Sequence, residues 1–343
     1  MQPIYLHLRK PIKPSQRAGL FYALKIHNII WRIIMLKGLV LTPPTLGRIS
    51  IGQVIEKNGK RLPQKDDQFT ITTQIQNADG WKKHPFDKQL REQQTNRKLR
   101  EIPIQLMFNQ PDLNLRADYC LFDRQTARPL CVGNGESCQR RHNNAIESQP
   151  CPGPDACGFA QGQCKPYGRL NVIISPDGDD DTTIDPIGSF VFRTSGFNSI
   201  RTLASRLSYF QAISQNRLAS LPLALKIRGK STRQSFGHPI YYVDLTLREG
   251  MSLEDALTQA KQTDQQRKGM GFLQNALDAA AAQGFSNGFF EDDSETVDSV
   301  LEEFYPETKI HTSDTPTTTQ NLNTDLEQRL QQLNQTDSIP TAH

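Results

Sequence analysis

The sequence predicts an α+β fold with a largely antiparallel β-sheet core, a cysteine-rich metal-binding loop and one central helix after residue 198. Short apolar runs alternate with turn residues over most of the first 250 positions. Strand-like segments outnumber helical ones and mostly follow one another, which is typical of the α+β class. Five of the six cysteines lie between positions 131 and 164. From Glu291 onward, low hydrophobicity and net negative charge predict a disordered acidic tail.

The chain divides into three parts. Residues 1–34 form a basic N-terminal extension with six basic and no acidic residues. Two interpretations of it stay open: translation from upstream of a natural start at Met35, or an amphipathic basic helix from Gly19 to Ile34 that binds a partner or nucleic acid. Residues 35–260 form the α+β core, with the cysteine-rich insert at 131–168, and residues 261–343 are predicted to be helical and then disordered.

The first half of the core consists of strands. Short apolar runs alternate from Leu39 to Ile75, and Asn58-Gly59 between them is a hairpin signal. Residues 100–108 have the period-2 alternation of a strand, in which Pro103 indicates an edge or a strand start. A second hairpin, over 119–122 and 129–132, leads into the cysteine-rich loop, after which a strand resumes at 169–174.

The second half adds the helices. A strand at 189–193 precedes a helix from Ile200 to about Ile213, for which Asn198 or Ser199 is the expected N-cap. Two more strands, at 223–228 and 240–247, flank a basic loop. A short helix then begins at Ser252, where Asp255 completes a capping box.

The cysteine-rich loop has few apolar side chains, so burial cannot offset the entropy lost when it is ordered. Structural zinc is held by four tetrahedrally arranged ligands, often thiolates. The sequence therefore predicts a structural zinc site formed by Cys138, Cys151, Cys157 and Cys164, with Cys131 as an alternative ligand and His142 as a weaker one. Cys120 is interpreted as a buried strand residue that acts as a small hydrophobe. A disulfide framework, an iron–sulfur cluster and plain buried thiols are the alternatives, and zinc against iron stays open.

Charge is unevenly distributed along the chain. The formal net charge of +4 combines six basic residues over 1–34, 29 basic and 20 acidic residues over 35–250, and five basic and 16 acidic residues over 251–343. A basic body with an acidic tail is expected of a protein that meets a polyanion or an acidic partner. No uninterrupted apolar run reaches the length of a membrane span, and the N-terminus lacks the features of a secretory signal. We therefore expect a cytoplasmic protein that does not enter a membrane.

A basic surface is the second candidate site. The Gly-Lys-Ser-Thr segment at 229–232 lacks the upstream glycine of a phosphate-binding P-loop. The segment is either a solvated turn or a site that binds the phosphates of a nucleic acid or a partner protein. The side chains suited to such binding are Lys226, Arg228, Lys230 and Arg233, with Arg201 at the start of the central helix. The histidines are isolated from nucleophiles, so no catalytic residue is predicted. The acidic run at 177–185 is interpreted as a surface turn.

Several segments resemble a family of phage and mobile-element proteins often labelled "hydrolase or metal-binding protein". The resemblance covers about residues 35–260 and is carried by these segments: 41–49, 65–69, 131–136, 164–170, 192–200 and 239–245. That family is similar to the recombination directionality factors of large serine integrases.

The resemblance implies a non-catalytic metal-binding regulator. Such a protein would bind a serine integrase seated on DNA and favour excision over integration, which needs only a difference in affinity for two integrase arrangements. Two other functions stay open: a DNA-binding accessory protein of phage replication or recombination, and a metal-dependent hydrolase.

Overall fold

A computed structural model describes residues 43–57, 60–77, 80–94, 96–142, 145–176, 188–231, 233, 237–285, 300 and 304–305, excepting the side chains of 53–65, 284 and 285. In these ranges the chain forms twelve β-strands, five α-helices and one short 3-10 helix at Leu218–Ser220. The predicted α+β class with a mostly antiparallel sheet is confirmed.

The strands are β1 (Thr45–Lys57), β2 (Lys60–Asn77), β3 (Gly80–Lys83), β4 (Glu101–Gln105), β5 (Leu115–Phe122), β6 (Pro129–Gly133), β7 (Ser137–His142), β8 (Ala145–Pro150), β9 (Lys165–Ile174), β10 (Ser189–Thr194), β11 (Leu223–Lys230) and β12 (Ile240–Leu247). The helices are α1 (Pro85–Glu92), α2 (Pro111–Asn114), α3 (Phe197–Ile213), α4 (Leu253–Gly269) and α5 (Gln274–Phe285).

The sheet is organised around β9. Its main path runs β3-β2-β1-β10-β9-β5-β6-β7-β8, and β4 joins β9 to the separate pair of β11 and β12. Residues 168–172 of β9 pair with β10, residues 165–170 pair with β5, and residues 173–174 pair with β4. Among the described ladders only that between β1 and β10 is parallel. The strand β9 therefore connects both parts of the sheet.

The main hydrophobic core lies between this sheet and α3. It contains fully buried residues from both parts of the sheet, such as Phe69 on β2 and Val243 on β12, together with Leu203 of α3. Gly168 of β9 permits the close approach of the helix, because a Cβ atom there would lie 2.9 Å from Cγ1 of Ile200. Packing of an apolar helix face on the sheet is the main source of stability for such a helix.

The predicted N-cap of α3 is wrong. The helix begins after Gly196, which provides no side-chain cap. The Ser199 hydroxyl instead accepts a hydrogen bond from the backbone N–H of Val243 at 3.1 Å, and the Asn198 side chain accepts one from Lys230. Tertiary partners therefore use both of the side chains expected to cap the helix.

Ser252 is confirmed as the N-cap of α4, since its hydroxyl accepts from the backbone N–H of Asp255 at 3.1 Å. The Asp255 carboxylate accepts from the Ser252 hydroxyl at 2.6 Å and not from the backbone N–H of a capping box. Helix α4 runs across residue 260, the predicted end of the core. None of the described helices is long and apolar enough to cross a membrane.

The cysteine-rich insert is more regular than predicted. Strands β7 and β8 form a hairpin that extends the sheet beyond β6, so Cys138 lies in a strand and not in an irregular loop. Side chains of β8 are mostly exposed. Backbone hydrogen bonds of the ladder, rather than apolar packing, therefore hold this hairpin, and alternation of apolar residues could not reveal it. The basic extension 1–34, the acidic run 177–185 and residues 306–343 lie outside the described residues.

Candidate functional site

Five cysteines come together at one end of the sheet. Cys131 and Cys138 are buried in a small apolar cluster with Leu121 and Ala160. The partly buried cysteines Cys151, Cys157 and Cys164 pack against it. We call these five residues the cysteine cluster. All six cysteines of the chain are free thiols in the structure, so the disulfide alternative is not observed.

The sheet register brings two of these cysteines together. Gly133 of β6 lies opposite Cys138 of β7. The backbone N–H of Cys151 donates to the carbonyl of Glu136 at 2.9 Å, which fixes the chain as it leaves β8. A Cβ atom on Gly133 would lie 2.6 Å from Cβ of Cys138 and 3.1 Å from Sγ of Cys151. Only glycine therefore fits at position 133 without displacing a neighbour.

The thiols of the cluster influence one another electrostatically. The pKa of Cys138 is raised to about 11, chiefly by burial and then by its neighbour Cys131. Burial also raises the pKa of Cys164 to about 11, helped by the negative charge that the other four cluster thiols would carry. Deprotonation of several of these thiols together is therefore unfavourable without a nearby positive charge. A bound cation would supply that charge and favour the thiolates.

The cluster suits a thiophilic ion by its donors but not by their present arrangement. Four thiolates at about 2.3 Å from one centre are what structural zinc prefers. Among the described residues, no three His, Cys, Asp or Glu side chains are placed as ligands of one ion. The five sulfurs share one cluster, yet binding a metal would require them to close in around it.

Cys120 and Arg140 lie next to this site. Cys120 belongs to a different apolar cluster, on the other face of β5, and burial raises the pKa of its thiol. Its interpretation as a small hydrophobe is thus confirmed. The Arg140 guanidinium lies 3.9 Å from Sγ of Cys157 and 4.1 Å from the ring centre of Phe159. Arg140 thus places a positive charge at the edge of the cysteine cluster.

The predicted basic residues lie on β11, on α3 and just beyond β11. We call Arg201, Lys226, Arg228, Lys230 and Arg233 the basic surface. Lys226, Arg228 and Lys230 alternate along β11 and so lie on one face of it. Arg201 and Arg233 are exposed.

Much of the charge on the basic surface is balanced within the molecule. Lys226 pairs with Glu101 at 2.6 Å. Arg228 and Arg206 share the buried carboxylate of Asp244, at 3.3 and 3.0 Å. Lys230 donates to Asn198 at 2.8 Å and keeps its full charge. Arg201, Lys230 and Arg233 are therefore better placed to meet a phosphate or an acidic partner than Lys226 and Arg228 are.

A second cluster, which was not predicted from the sequence, lies on the other face of β5, β6 and β9. Residues Cys120, Phe122, Ala127, Val132 and Tyr167 form an apolar surface that we call the aromatic groove. Val300, Phe304 and Tyr305 from the C-terminal region pack into it and are themselves buried. The adjacent aromatic pair within an otherwise acidic stretch was the available sequence signal.

Comparison with known proteins identifies one family. A family model described as recombination directionality factor-like matches residues 46–248, more than half of the chain. The matched region contains the cysteine cluster and the basic surface, and it confirms the resemblance seen in the sequence. No curated protein matches the chain. No solved structure matches it either.

Proposed function

Because the chain belongs to the recombination directionality factor-like family, we propose that it binds a site-specific serine integrase and biases that enzyme towards excision. The family match carries this proposal. It favours a non-catalytic regulator over the metal-dependent hydrolase considered from the sequence. Its place of action would be the cytoplasm, where thiols such as the six free cysteines stay reduced.

Such a regulator needs no active site. An integrase on its DNA sites adopts arrangements that lead to integration or to excision, and a protein that binds one of them more tightly shifts the population towards it. A preference of 100-fold corresponds to about 2.7 kcal/mol of differential binding free energy. A surface of moderate size could supply this difference.

A recombination assay tests the proposal. Purified full-length protein is added to the serine integrase of the same genetic element, with substrates for integration and for excision in separate reactions. We expect the protein to permit excision and to reduce integration. Identical products with and without the protein would contradict the proposal.

The basic surface is the region that we propose contacts the partner or its DNA. A double substitution, Arg201→Glu with Arg233→Glu, reverses two exposed charges without breaking an ion pair described above. Lys261→Glu, at an exposed position of α4, is the matched control. The excision bias should fall for the double variant and stay unchanged for the control.

Direct binding to DNA can be separated from binding to the integrase. If the basic surface binds phosphates, the protein should retard naked DNA, with an affinity that falls as salt rises. The slope of log affinity against log salt should be smaller by about 2 for the double variant, because each lost phosphate contact changes it by about 0.9. Loss of the excision bias with no binding to naked DNA would assign the surface to the integrase.

We also propose that the cysteine cluster holds a structural zinc ion. Four thiolates leave no open position on zinc, so the ion would shape the surface around β6–β8 and would not act on a substrate. The packing of five thiols into one cluster supports this assignment, and a bound cation would offset the raised pKa values of Cys138 and Cys164. The predicted ligands are Cys138, Cys151, Cys157 and Cys164, with Cys131 as the alternative.

Metal analysis of the reduced full-length protein tests the zinc proposal. We expect one equivalent of zinc, lost in Cys157→Ser and kept in Cys120→Ser, which alters a buried cysteine outside the cluster. Comparing Cys131→Ser with Cys138→Ser shows which of the two is the fourth ligand. Absence of metal from the wild type, or equal loss in the Cys120 control, would contradict the assignment.

A further inference from the structure

The C-terminal residues contact the aromatic groove as a bound peptide would. The ring of Phe304 lies 4.6 Å from that of Phe122 and 5.2 Å from that of Tyr167, both edge to face. The Tyr305 hydroxyl donates to the carbonyl of Phe122 at 2.7 Å, and Lys165 donates to the carbonyl of Phe304 at 2.9 Å. Phe304 is only 2% exposed. Two aromatic anchors and two directional hydrogen bonds form a specific contact.

The rim of the groove is positively charged. The guanidinium of Arg124 lies 4.8 Å from the ring centre of Tyr305, and the ammonium of Lys165 lies 5.8 Å from that of Phe304. On the same face, Arg116, Arg169 and Arg193 lie side by side on β5, β9 and β10, and Asp118 of β5 balances part of the charge of Arg116 and Arg169. By contrast, residues 291–303 carry seven acidic and no basic side chains. The cationic side chains at the rim and the sequence that precedes Phe304 are therefore opposite in charge.

The contact is small, and its residues follow helix α5 at a distance in sequence. Helix α5 ends at Phe285, and Val300 follows 15 positions later. A few anchoring residues bind only weakly as a free peptide, but attachment to the same chain gives them a local concentration in the millimolar range. The C-terminal residues can therefore occupy the groove in the resting molecule and still be displaced by a partner.

We propose that the aromatic groove is a docking site for acidic peptides with two adjacent aromatic residues, and that the chain's own C-terminal segment occupies it as a reversible competitor. A partner with a segment of the same chemistry would bind only after it displaces Phe304 and Tyr305. The groove and the cysteine cluster lie on opposite faces of the same strands, since Cys120 of the groove pairs with Val132 while Leu121, which packs with the cluster, pairs with Cys131. This inference does not depend on the role in recombination.

Fluorescence anisotropy with a labelled peptide tests the proposal in the full-length protein. The probe has the sequence of residues 296–308. It should bind the variant Phe304→Ala with Tyr305→Ala about tenfold more tightly than the wild type, because the tethered competitor has been removed. The matched control, Phe289→Ala with Phe290→Ala, removes two aromatic residues from the same acidic stretch and should bind like the wild type.

Two further variants make the test specific. Arg124→Glu, an exposed change at the rim, should weaken binding when added to the double variant. Tyr305→Phe removes only the hydroxyl and should tighten binding relative to wild type by about threefold, the usual effect of one hydrogen bond. This variant decides the question if circular dichroism shows that the double variant does not fold. The proposal would be overturned if the probe bound equally well to the wild type, to the double variant and to Tyr305→Phe, or if it bound to none of them.

Discussion

At the scale of single residues, a buried ion pair fixes α1 to the sheet. The carboxylate of Asp87 accepts from the backbone N–H of Ile71 at 3.0 Å and from Arg91 at 2.8 Å. Arg91 also donates to the carbonyl of Phe69 at 2.6 Å. The side chains of Asp87 and Arg91 are 3% and 18% exposed. Because both side chains are largely buried, water cannot replace these partners. Each charged group therefore depends on the other to balance its charge.

Loss of one partner should therefore be costly. We expect Arg91→Ala to lower the free energy of unfolding by about 3 kcal/mol, because it leaves the Asp87 carboxylate buried without its cation. Denaturant titration measures the change. Lys88→Ala is the control on the same helix: its partner Glu92 is 3.9 Å away and both side chains are largely exposed, so the loss should stay below about 0.5 kcal/mol. Equal losses would show that the buried pair has no special role.

His84 gives the fold a dependence on pH. Its Nδ1 accepts from the backbone N–H of Phe86 at 3.2 Å, and its ring packs 4.9 Å from that of Phe190. Burial lowers the pKa of His84 below its ordinary value of 6.5. The folded state therefore binds its proton less readily than the unfolded state does.

Stability should fall as the pH is lowered below about 6.5, where the unfolded chain takes up a proton that the folded chain resists. The substitution His84→Asn keeps a good capping side chain but removes the titrating group. We expect it to flatten the pH dependence of the unfolding midpoint between about pH 5 and 7. A wild-type slope that persists in His84→Asn would assign it to other groups.

At the scale of elements, the pattern of apolar residues predicted the strands better than the helices. It identified β4 by alternation, and β5, β6, β10 and β12 by short apolar runs that contribute buried residues. It missed α1, which is held by the buried ion pair, and β7–β8, which are held by backbone ladders. The N-cap of α3 was also missed, since its candidate side chains bond to residues distant in sequence.

The β6–β7 hairpin should be sensitive to its one tightly enclosed glycine. We expect Gly133→Ala to cost about 2 kcal/mol, because the added methyl group would overlap Cys138 and the carbonyl of Ser137. Gly158→Ala is the control in the same insert, where an added Cβ would meet nothing within 4 Å. Thermal unfolding of both variants measures the difference. A neutral Gly133→Ala would mean that the hairpin relaxes freely around the cysteine cluster.

At the scale of the whole molecule, β9 makes the two parts of the sheet one structure. Leu170 lies opposite Phe192 of β10 on one edge and Leu115 of β5 on the other, and it is fully buried. Phe69 and Val243, from opposite parts of the sheet, belong to the same core. The two parts are therefore expected to unfold together.

A substitution in the centre of β9 tests this cooperativity. Leu170→Ala should lower the free energy of unfolding by about 3 to 4 kcal/mol, as expected for a buried leucine. Tryptophan fluorescence and circular dichroism should still report coincident transitions. Ile146→Ala, at a half-exposed position of β8, should change stability by about 0.5 kcal/mol or less. Separate transitions would show that the two parts unfold independently.

The sequence predicted the fold class, whereas the zinc site and the basic surface stay predictions. It did not reveal which charges of the basic surface are paired within the molecule. The cysteines were recognisable by their spacing, and the structure places them together. Pairing of Lys226 with Glu101 and of Arg228 with Asp244 depends on contacts between strands, which periodicity does not specify. The aromatic groove joins residues 120–167 to residues 300–305, a separation that no local pattern can bridge.

The parallel pairing of β1 with β10 has a consequence for how the chain is made. Ile49 lies opposite Phe192, more than 140 positions later, so one edge of β1 has no partner until most of the chain has left the ribosome. Strands β6, β7 and β8 pair with strands that are near in the sequence, so this part of the sheet can form first. Contacts between distant positions slow folding, and the growing chain must keep the unpaired edge of β1 from associating with other chains until β10 emerges.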